Sequence, residues 1–117
     1  MQEKEIKVTT TSGFDNVEIT DYLEPISAHI VIGMNVFKDF FSGITDIFGG
    51  NSATYEKTLA TIHQEVLNKL KKRAYSIGAN SIVGLKIDND EIAAQGKSMI
   101  MVTAIGTAVK ANFPQNK

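Results

Sequence analysis

Cysteine is missing altogether from the 117 residues, which excludes disulfides, thiolate nucleophiles and soft thiolate metal sites. Histidine occurs only at His29 and His63, and neither stands in an HExxH-type pair. An excess of one charge is lacking too. Twelve lysines and arginines face 13 aspartates and glutamates, for a net charge of −1. That balance gives no general attraction to nucleic acid or to an anionic membrane surface. No apolar run approaches the length needed to cross a bilayer. The charged start, MQEKEIKV, lacks the apolar core of a signal peptide. The expectation is a cytoplasmic protein with no membrane and no nucleic-acid partner.

What is present fits one globular domain over residues 1–117, with 43% hydrophobic and 21% charged residues. The chain is organised around residues 33–56, which hold four of the six phenylalanines: Phe37, Phe40, Phe41 and Phe48. Before this stretch the pattern is that of strands. Residues 5–11 read as an exposed or edge strand, and 12–16 as a turn cluster. Residues 17–23 alternate as a half-buried strand, Pro25 interrupts, and 26–33 form a more apolar strand with Ile26, Ala28, Ile30 and Ile32 on one face.

Over 35–48 the period shifts to the helical one, with Asn35 as N-cap and Gly49-Gly50 as terminator. Gly43 weakens the continuity of that helix. Ser52 then caps a helix of about 26 residues, with Glu56 in its first turn. Tyr55, Leu59, Ile62, Val66, Leu70, Ala74 and Ile77 make its apolar stripe, and Gly78 is the expected C′ residue. Residues 81–88 are a strand with Gly84 as a bulge or a close approach. Residues 89–96 read as a polar connection, and 97–110 as a long final strand before a frayed tail.

That final strand shows Met99, Met101, Thr103, Ile105, Thr107 and Val109 on one face, and Ile100, Val102, Ala104, Gly106 and Ala108 on the other. Neither face suits water. One helix covers one face of a sheet, so the second needs the phenylalanine-rich segment or another subunit. Self-association is therefore expected.

The chemistry is sparse. Asn35, Asp39, Ser42 and Asp46 share one side of the short helix, but Asp39 and Asp46 are separated by about 10 Å of helical rise. One ion within one chain is out of their joint reach, whereas a closed ring of subunits would repeat each aspartate around its axis. A solvated helix face is the plainer explanation. The loop 49–52 opens a helix, as anion sites do, but lacks the lysine of a phosphate-binding loop. His63 flanks the long helix's stripe as a structural histidine would. Asp88, Asp90 and Glu91 lack calcium-loop spacing and read as a solvated turn. No Ser–His–Asp order can be picked out, so no catalytic residue is assigned and an enzyme is not expected.

One set of motifs is more specific. Gly33-Met34-Asn35-Val36-Phe37-Lys38-Asp39-Phe40-Phe41 is followed by Asp46-Ile47, Gly49-Gly50, Ser52 and Tyr55-Glu56. Then come Gly78-Ala79-Asn80-Ser81-Ile82-Val83-Gly84 with Asp88, and Ser98-Met99 through Gly106-Thr107-Ala108-Val109. In order and spacing this set, running over about 17–110, resembles the YbjQ-like family of small bacterial proteins. The resemblance implies an α+β fold, an antiparallel sheet packed against one long helix, similar to dodecin-type subunits. It also implies a homopentamer, and it brings a heavy-metal-binding label that rests on structural likeness. No activity follows from it. Two departures stand out: Ala28-His29 occupies the place of the family's Gly-Glu, and the N-terminal extension is longer than usual. Exchanging a carboxylate for His29 keeps a metal-ligand type and favours zinc, copper or nickel.

The expectation is thus a homo-oligomeric binding protein holding a divalent metal cation or small ligand at subunit interfaces. Asp39 and Asp46 are the first candidate ligands, with His29 and Glu56 second. The alternative is a structural or protein-interaction module with no small ligand.

Overall fold

The computed structural model describes residues 5–33, 52–94 and 97–114. The expected helix at 35–48, with Asp39 and Asp46, lies outside the described residues. The elements in chain order are β1 (Lys7–Val8), β2 (Glu18–Gly33), α1 (Ser52–Ser76), β3 (Ser81–Ala94) and β4 (Lys97–Asn112). They form one sheet in the order β1-β3-β4-β2, with α1 across one face. β2 and β3 both run antiparallel to β4, and the short β1 adds to β3 in parallel. This is the α+β layout expected, with a mixed edge.

Alternation along β4 decides which side α1 occupies. Ile100, Val102, Ala104 and Ala108 are buried, and with Ile26, Ala28 and Ile82 they meet Ile62, Val66, Leu70 and Ala74 of the helix. Burying a stripe at helical spacing against a period-two face supplies most of the driving force for this fold. Gly106 leaves no room for a side chain between β4 and β3: a methyl group there would lie 2.6 Å from Cγ2 of Ile82. The extra residue that shifts the β3 register between Val83 and Lys86 includes Gly84, at φ 65°. That is the bulge expected from the sequence.

The helix ends as its residues dictate. Gly78 takes φ 89°, its N–H donates to the Tyr75 carbonyl at 3.1 Å, and the Ala79 N–H donates to the Ala74 carbonyl at 3.0 Å. These are the paired bonds of a Schellman cap. Ile77 therefore lies beyond the helix and is 38% exposed, so the buried stripe stops at Ala74. The first turn of α1 holds no acidic residue, because the helix begins at Ser52 and Glu56 falls in the second turn.

Two expected interruptions are strand. Pro25 does not break β2; it pairs opposite Thr107 within a continuous 16-residue strand. Among the described residues β2 is an edge strand, and a proline whose missing N–H faces outward costs no ladder bond. Residues 89–94 extend β3 to Ala94, which pairs with Lys97. Cross-strand packing on β4 overrides the weak strand preference of Asn89, Asp90 and Glu91.

Candidate functional site

The face of the sheet away from α1 carries the chemistry. Its two ends differ. β1 and β2 lie on opposite edges, so residues 9–17 must traverse β3 and β4 to connect them. The start of that path is pinned to the outer edge of β3 by bonds between Thr9 and Ile82, Thr11 and Gly84, and Leu85 and Thr9. Its far part places Gly13 against the Ile19 side chain, and Phe14 meets Phe113 edge to face at 5.0 Å. At this end Val83, Val109 and Ala111 are buried, although they stand outside the helix-side cluster. At the other end Val31 is 54% and Ile105 45% exposed.

His29 projects from β2 onto the open end. Its Nδ1 lies 3.1 Å from Oγ1 of Thr103, its direct cross-strand neighbour. Asp88 of β3 flanks Thr103 on the other side, so His29, Thr103 and Asp88 form one row across three strands. Asp90 follows two residues on, on the same face. Lys86 and Asp88 approach to 3.9 Å, an exposed contact of small energetic weight. Thr103 holds the imidazole through Nδ1, which leaves Nε2 as the nitrogen suited to a ligand.

Glu56 is exposed on α1, so the sheet separates it from His29 and the two do not share a site within one subunit. Asp39 and Asp46 lie outside the described residues. Among the described residues no group of three or more His, Asp or Glu side chains is gathered as a metal cluster. His63 has a structural partner: its Nε2 meets Oδ1 of Asn89 at 2.8 Å, bridging α1 to β3. The sequence does not show the Asp88–Thr103–His29 row, because the row needs the β2–β4 and β3–β4 registers together. The alternating Asp88 and Asp90 were its only signal.

Comparison with known proteins agrees with this layout. Residues 6–112 match the family model described as "Putative heavy-metal-binding". The chain is 42% identical over 102 residues to a UPF0145 protein of Pasteurella multocida, covering 87% of this chain and 95% of that one. It is 41% identical over 104 residues to a UPF0145 protein of Trichodesmium erythraeum, covering 88% and 96%. Among solved structures it resembles a Pediococcus pentosaceus protein of unknown function from the DUF74 family. The TM-score is 0.58 at 19% identity, covering 92% of this chain and 98% of that one, a likeness of fold alone. None of these descriptions states a reaction. Among the described residues no helix is long and apolar enough to cross a membrane.

Proposed function

This chain belongs to the YbjQ family, and from that premise we propose a homo-oligomeric binding protein that holds a metal cation or small ligand where subunits meet. One observation carries the reading: Val31 and Ile105 stand exposed on a sheet face that α1 does not cover. Large apolar side chains left exposed on an uncovered sheet face favour association between copies. A pentameric ring, the assembly implied by the family resemblance, would surround a shared axis with repeated ligands. His29 is the ligand candidate on the described residues, with Asp39 and Asp46 completing the set from 34–51 and Glu56 contributing only from another copy.

Native mass spectrometry reports subunit number and retained ions together. Melting is then measured with zinc, copper, nickel, cobalt and magnesium in turn. The expected result is an oligomer whose melting temperature rises with at least one of them. Saturation at a hundredfold excess over Kd is worth about 2.7 kcal/mol. His29→Ala and Asp39→Asn should each remove the rise. Unchanged melting with all five ions would discard the metal, and a monomer at micromolar concentration would discard the junction as well.

A further inference from the structure

We propose that copies of this chain join head to tail by pairing the outer edge of β2 with the outer edge of β3 in the next copy. The junction sets His29 of one copy beside Asp88 of its neighbour. This inference rests on the homo-oligomeric reading above and deepens it.

The argument starts from where the sheet's hydrogen-bonding groups are unused. Among the described residues no strand pairs with the outer edge of β2, and β3 is covered only through Leu85, by β1 and by Thr9 and Thr11. In the first half of β2, register shifts between Ile19 and Asp21 and between Tyr22 and Glu24, with the proline at 25, disrupt the edge. The regular stretches with no described strand alongside are therefore 26–33 of β2 and 86–94 of β3. Through β4 these two occupy the same level: Ser27 and Lys86 both face Ile105, and Gly33 and Ile92 both face Met99. They also run in the same direction, since each is antiparallel to β4. Edges that match in height, length and direction at opposite sides of one sheet fit a head-to-tail parallel addition, which closes into a ring when the rotation allows.

Charge agrees with that pairing over its rivals. From 26 to 33, β2 has no carboxylate, while the open half of β3 carries Asp88, Asp90 and Glu91. Two β3 edges together would set these carboxylates against each other. At the β2 edge Lys69 of α1 donates its Nζ to the His29 carbonyl at 2.9 Å. Lys69 therefore stands on the helix side of this edge and His29 on the open side. An incoming β3 brings Glu91 to the helix side and Asp88 and Asp90 to the open side, since side chains alternate across the pleat. Lys69, an exposed side chain, yields the carbonyl to a backbone N–H, and Glu91 supplies opposite charge on the same side of the sheet.

The absence of cysteine makes the test clean. Val31→Cys and Asp90→Cys are made as separate full-length variants, mixed, unfolded, refolded together and treated with a short bis-maleimide. A covalent heterodimer in the mixture, with little product from either variant alone, is the expected result. Ser27→Cys with Lys86→Cys serves as a second pair should either first variant fail to fold. Product from the β2 variant alone would mean a symmetric edge pairing and overturn the proposal. An oligomer by native mass spectrometry with no mixed product would overturn the edge pairing and leave the homo-oligomeric reading standing. A monomer would overturn both, as when the chain's own residues 34–51 occupy the edges.

Discussion

Val109 and Ile105 lie on the same strand and the same face of the sheet, yet one is fully buried and the other 45% exposed. The difference follows from the path of residues 9–17, which crosses toward β2 at the Val109 end, whereas among the described residues no segment crosses the Ile105 end. The second face is therefore two surfaces. One belongs to the subunit's own interior and contributes to folding. The other contributes little inside a subunit and is available for contact between copies.

Substitutions on the two sides of that divide measure it. Leu70→Ala should cost most, about 3–5 kcal/mol, because Leu70 is fully buried between α1 and the sheet and leaves a cavity. Urea unfolding would read this at any protein concentration. It calibrates the interior that both faces are compared with. Val109→Ala should cost about 2 kcal/mol, from two methyl groups removed from a site fully closed to water. A cost below about 0.5 kcal/mol for Val109→Ala would mean that residues 9–17 do not seal this end, and the contrast with Ile105 would vanish.

Local signals made much of the fold legible beforehand. The stripe from Ile62 to Ala74, the Gly78 cap, the Gly84 bulge and the two faces of β4 each depend on neighbours close in sequence, where periodicity and turn chemistry act. The errors share another origin. Pro25 and residues 89–96 read as interruptions because local propensity does not contain which strand lies alongside. The role of residues 9–17 followed from the strand order β1-β3-β4-β2, a long-range property that no window of sequence contains. The site divides in the same way. His29 was visible as a ligand type, but its row with Thr103 and Asp88 required the β3–β4 and β2–β4 registers together. Glu56 lies on α1, so a site it shares with His29 needs the junction between copies for which both were candidates.

The sharpest use of the comparison is its smallest effect within a subunit. Ile105→Ala removes more apolar surface than Val109→Ala, yet half of that surface already meets water. In samples dilute enough to hold separate subunits, unfolding should shift by less than about 1 kcal/mol. Where copies associate, the same methyl groups leave an interface, and the apparent stability of the wild type should rise with concentration more steeply than that of the variant. Unfolding curves collected over a range of protein concentrations separate the two contributions. If Ile105→Ala costs as much as Val109→Ala at every concentration, the bare end is sealed within each subunit. Association would then lose the apolar surface that argues for it, and His29 would face the subunit's own interior instead of a neighbour.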